Sequence, residues 1–66
     1  MQMVHVRSSA ITAVGYDPLT RRMKITFKQG RTYDFCGVPS EVHQGLLHSG
    51  SKGTYYDRVI RDRYQC

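Results

Sequence analysis

The chain has no tryptophan, two cysteines, two prolines and five acidic residues among 66. None of its apolar runs approaches the roughly 18 residues that a membrane-spanning helix needs. The opening stretch Met1–Arg7 has no continuous hydrophobic segment of signal-peptide length. Two cysteines fall far short of the bridge framework of a secreted miniprotein. Cys36 is therefore expected as a small strand residue and Cys66 as a frayed terminal thiol. With 39% hydrophobic and 23% charged residues the chain is not disordered. A chain this short buries only about 60% of its unfolded surface, too little to enclose a cofactor cavity. The expectation is one cytoplasmic domain over residues 1–66, with no cofactor and no membrane partner.

What is abundant is positive charge. Ten Lys and Arg against five Asp and Glu give a net charge of +5. The excess sits at both ends of the chain, and between Phe35 and Ser51 the only charged residue is Glu41. Such a balance favours polyanions, nucleic acid first, although ordinary solubility would account for it equally well.

Residues Arg22–Lys28 alternate strictly, Met23, Ile25 and Phe27 against Arg22, Lys24, Thr26 and Lys28, as in a half-buried strand. Ala10–Tyr16 is rich in small and β-branched residues and stops at the turn opener Asp17-Pro18. Beyond the turn residues Gln29-Gly30, Arg31–Cys36 supplies a third strand. The period then lengthens. Pro39 and Glu41 suit a helix start, Val42, Leu46 and Leu47 form its apolar stripe, and Gly50 suits its end. A second helix is expected from Thr54, with Thr54 and Asp57 at capping-box spacing and Tyr56, Val59, Ile60 and Tyr64 as its buried side. The expected fold is α+β, a three-stranded antiparallel meander followed by two short helices packed on one face (βββαα).

Ser8-Ser9, Gly15-Tyr16-Asp17, Phe27-x-x-Gly30, Tyr33-x-Phe35, Val38-Pro39, Ser51-Lys52-Gly53, Tyr55-Tyr56 and Ile60-Arg61-x-x-Tyr64 together resemble the KTSC domain. That module is found at the C-terminus of some lysyl-tRNA synthetases and as a stand-alone bacterial protein. The resemblance runs from Ser8 to Tyr64. Two positions depart from it: Phe35 stands where the family's central Tyr-x-Tyr has its second tyrosine, and Asp57 where an amide is common. The resemblance implies no established activity. RNA binding is suggested by the synthetase neighbours alone.

Tyr33 and Phe35 can lie on either sheet face. A two-residue loop at Gln29-Gly30 pairs Thr26 with Tyr33 and sets both aromatics among Arg22, Lys24, Lys28 and Arg31, a stacking platform for bases. A three-residue loop with Gly30 in the left-handed region pairs Ile25 with Tyr33 and Met23 with Phe35, and turns both inward. A slip of one residue exchanges the two outcomes, and a small core favours the second.

Ser51–Thr54 is a basic loop suited to an anion, but its lysine precedes the second glycine, unlike a nucleotide P-loop. As a plain helix connector it needs no ligand. Arg58 and Arg61 share a helix side and could follow a phosphate backbone with Lys52; as i,i+4 pairs with Asp62 and Asp57 they are equally a solvated face. His5, His43, His48 and the cysteines lack metal-site spacing, and Ser8, Ser9, Asp17 and His5 lack the parts of a hydrolase. The chain is expected to be no enzyme. It is expected to bind RNA or another nucleic acid through Lys52, Arg58, Arg61, Arg22, Lys24 and Arg31, with Tyr33 or Tyr55 stacking. The alternative is an adaptor that docks on a protein partner.

Overall fold

A computed structural model describes residues 1–66. Four strands form one antiparallel sheet in the order β1-β2-β3-β4: β1 Met3–His5, β2 Ile11–Asp17, β3 Arg22–Phe27 and β4 Thr32–Phe35. The expected three-stranded meander is thus corrected to four strands. The added strand is only three residues long and lies at the sheet's edge, so it leaves no usable alternation in the sequence. Its register, Met3↔Gly15, Val4↔Val14 and His5↔Ala13, is set by β2. Gly15 makes room for it, since a Cβ there would stand 2.6 Å from the Met3 sulfur.

The β3–β4 turn decides the second register question. Gly30 takes φ +99°, the Gly30 N–H donates to the Phe27 carbonyl, and Phe27 N–H donates to Arg31 O at 2.9 Å. This is the three-residue loop, and it pairs Ile25 with Tyr33 and Met23 with Phe35. Phe35 is buried at 6% exposure, whereas Tyr33 reaches only the rim and stays 42% exposed.

Helices cover the face bearing Met23 and Ile25. Helix α1, Ser40–His48, follows Pro39 and ends where the Ser49 hydroxyl donates to the Leu46 carbonyl. Helix α2, Lys52–Tyr55, starts two residues before the expected Thr54 and runs into a π-helical turn, Tyr56–Ile60. Thr54 forms no capping box. Its hydroxyl bonds that of Ser51 at 2.9 Å, and Asp57 turns to Arg61. The core joins Ile11, Val14, Met23 and Ile25 of the sheet to Val38, Leu46 and Ile60, all nearly without exposure. Each such side chain contributes about 1.5–3 kcal/mol.

The loop before α1 is pinned through Val38, whose carbonyl accepts the Tyr16 hydroxyl at 2.7 Å and whose N–H donates to Arg21 O. The C-terminal segment returns across the end of β4, where Cys36 N–H donates to the Tyr64 carbonyl at 2.8 Å. Cys36 and Cys66 are joined there by a disulfide, with Cα atoms 4.8 Å apart. The expected pair of free thiols is corrected accordingly. Cysteines 30 residues apart carry no local signal, and only this return of the chain brings them together. No helix is long and apolar enough to cross a membrane.

Candidate functional site

Alternation along β3 places Arg22 and Lys24 on the sheet face opposite the helices, because Met23 and Ile25 point into the core. Lys24 lies 3.7 Å from Asp34 on that outer face. Arg58 and Arg61 belong to the helical side. The Arg61 guanidinium is held between Asp57 at 3.7 Å and Asp62 at 3.9 Å. The candidate cations therefore divide between two sides of the sheet.

Tyr55 is occupied structurally. Its hydroxyl donates to the Val42 carbonyl at 3.2 Å, and its ring lies where a Cβ on Gly45 would be, tying α2 to α1. Tyr33 meets Phe27 edge-on at 5.6 Å between ring centroids, and Phe27 meets Tyr56 in the same way at 5.0 Å. Burial raises the Tyr56 phenol above its ordinary pKa, with Arg61 opposing and Asp57 and Asp62 adding to the rise.

Three further cation-bearing segments lie at one end of the sheet. There the 6–10 loop, the 28–31 turn and the 49–52 connector meet. Lys28 N–H donates to Ala10 O at 2.9 Å, and a Cβ on Gly53 would touch the Ala10 methyl at 3.1 Å. Ser8 Oγ shapes the first loop by accepting Ala10 N–H and Ile11 N–H. These segments carry Arg7, Lys28, Arg31 and Lys52 and no carboxylate. None of the four takes part in an ion pair. Lys52 Nζ donates to Ser49 O at 3.2 Å, which holds its charge against the connector. On the adjoining flank Asp57 shares a hollow with Gln29, but its charge is engaged by Arg61.

Lys52 and Arg31 were among the residues selected from the sequence. Arg7 was not, and Lys28 was considered only as part of a strand face. Their common signal is position next to a turn, which acquires meaning only when the turns share one end of the sheet.

Ser8 and Asp17 serve turns: Ser8 Oγ as above, and Asp17 Oδ1 accepting Leu19 N–H at 2.9 Å. No group of three or more His, Cys, Asp or Glu side chains is placed to hold a metal. Fold and surface together define a small α+β domain, one sheet covered on one face by helices. Residues 7–64 match the KTSC domain, and the chain belongs to that family. A crystal structure of a KTSC domain protein from Yersinia pestis superposes with a TM-score of 0.91 at 42% identity, covering 98% of this chain and 92% of that one. An uncharacterised protein of Stutzerimonas stutzeri is 33% identical over 97% of this chain and 90% of its own length. A lysine–tRNA ligase of Nostoc sp. is 32% identical over 86% of this chain, a segment that makes up 10% of the ligase.

Proposed function

We propose that this domain is a non-catalytic module that holds the phosphate backbone of single-stranded nucleic acid, RNA foremost, at the end of the sheet bearing Arg7, Lys28, Arg31 and Lys52. The observation that carries this reading is four unpaired cations from three separate segments with no carboxylate among them. Guanidinium and ammonium groups attract phosphate without reading bases, so binding is weak and indifferent to sequence. The Nostoc relative supports the same class of partner, since a lysine–tRNA ligase by its name acts on tRNA. Arg58 extends the contact along the helical side. Arg22 and Lys24 face the other way and serve a strand only if it wraps the sheet edge.

Fluorescence anisotropy with a short labelled RNA strand tests the proposal. Engaging about three phosphates gives a log–log salt slope near −2. Reversing Lys28, Arg31 and Lys52 to glutamate is expected to lower affinity at low salt by at least about tenfold, while Arg22→Glu with Lys24→Glu has a small effect. Affinity that ignores salt, or equal losses from the two sets, would overturn the proposal.

A further inference from the structure

The C-terminal return is tied to the sheet at few points. Ile60 is the last side chain of the core, and among residues 61–66 only Tyr64 is even half-buried. Asp62 adopts φ +62°, in the left-handed region, where the chain leaves the π-helical turn and heads back to β4. The ion pairs of Arg61 with Asp57 and Asp62, and the bond from Gln65 Nε2 to Asp62, stay within this end of the helix and do not reach the sheet. The links to β4 are the hydrogen bond from Cys36 N–H to Tyr64 O, the packing of Tyr64 against the core, and the Cys36–Cys66 disulfide.

The return nevertheless closes something. Asp62, Gln65 and Cys66 wall a hollow of about 420 Å³, with Tyr33, Phe35 and Tyr56 opposite. Tyr64 O also occupies the Cys36 N–H at the end of β4. Ordering this segment costs conformational entropy that one hydrogen bond and one half-buried ring do not offset. The covalent bond removes most of that cost by keeping Tyr64 and Cys36 side by side.

We propose that the Cys36–Cys66 disulfide is a redox latch: reduction by a dithiol frees residues 61–66 from the end of β4 and opens the hollow beside Phe35, while the sheet and helices stay folded. Cys66 is exposed and Cys36 half-buried, so the attacking thiolate reaches the Cys66 sulfur. A mixed disulfide forms there, and Cys36 leaves as a thiolate. The reductant's second thiolate then attacks the reductant's own sulfur in that mixed disulfide, and Cys66 leaves. Two electrons and two protons pass from the dithiol, which becomes a cyclic disulfide, to the two cysteines. The reverse exchange closes the latch. None of the buried core belongs to residues 61–66, so the packing of sheet on helices survives release. What changes is the end of β4, where Cys36 N–H and the Phe35 ring gain access to solvent. This device does not depend on the nucleic-acid reading above.

The test follows the isotope-labelled protein by amide NMR in its oxidised form, after reduction with millimolar dithiothreitol, and after reoxidation with the cyclic disulfide of that reagent. In the reduced form the amides of residues 62–66 are expected at random-coil positions, and exchange at the Cys36 amide is expected to quicken at least about tenfold. The amides of Val14, Ile25 and Leu46 should keep their dispersed shifts, and reoxidation should restore the first spectrum. Cys66→Ser should show the reduced pattern without reductant and ignore dithiothreitol. Unchanged protection of Cys36 on reduction would overturn the proposal, as would collapse of the Val14, Ile25 and Leu46 shifts together with it. So would a bond that yields to the dithiol only in denaturant, or one that does not re-form.

Discussion

Gly45 sits inside α1, where replacing glycine by alanine ordinarily stabilises an exposed helix by about 1 kcal/mol. Here the opposite sign is expected. A Cβ at this position would overlap the Tyr55 hydroxyl and stand 2.7 Å and 3.0 Å from two of its ring carbons. The ring is held by the bond from its hydroxyl to Val42 O, so it moves only by surrendering that bond and its packing between the helices. Over-packing costs about 1–3 kcal/mol, and the bond contributes about 1 kcal/mol. Set against the propensity gain, Gly45→Ala is expected to destabilise by about 1–3 kcal/mol. Removing the obstacle restores the ordinary sign: in a Tyr55→Ala background, Gly45→Ala should stabilise by about 1 kcal/mol. Equilibrium urea unfolding of the four proteins closes the cycle, with an expected coupling of about 2–4 kcal/mol. Stabilisation by the single Gly45→Ala change, or additivity within about 0.5 kcal/mol, would refute the clamp and release Tyr55 for another role.

Three further outcomes are expected. Reducing the Cys36–Cys66 disulfide, or changing both cysteines to serine, should cost about 3–4 kcal/mol from the loop it closes, read as a lower urea midpoint; an unchanged midpoint would mean that the C-terminal return holds without it. Tyr16→Phe removes the donor to Val38 O and should cost about 1–2 kcal/mol by the same assay, since that carbonyl loses its partner. Burial lowers the pKa of His43, which is stacked on Tyr16 at 4.4 Å. Its neutral form is therefore favoured by folding. The contribution is complete above the unfolded value of 6.5 and is lost as pH falls through the lower folded value. Stability measured between about pH 7.5 and 5 should decline less in His43→Phe than in the parent, and parallel declines would refute this.

A good part of the fold is legible in the residues themselves. The strict alternation of Arg22–Lys28 announces a strand with one buried side, and Met23 and Ile25 are indeed without exposure. Leu46 and Ile60, selected by helical spacing, lie in the core. The KTSC resemblance read from Ser8 to Tyr64 agrees with the family match over residues 7–64. These signals are local, because period and turn chemistry depend on neighbours in the chain.

The features that required tertiary structure depend on distant segments. Met3–His5 becomes a strand only because β2 offers its edge and Gly15 has no side chain. The β3–β4 register depended on whether Gly30 adopts positive φ within a three-residue loop, a difference of one residue that composition does not resolve. Cys36 meets Cys66 because the C-terminal segment crosses the end of β4. Charge shows the same division most plainly. Sequence establishes that the domain is basic, whereas folding sends Arg22 and Lys24 to the outer face of the sheet and Arg58 and Arg61 to the helical side. Net charge is a sum over residues and survives any rearrangement; a charged surface is a matter of position, and position comes from the packing of the sheet against its helices.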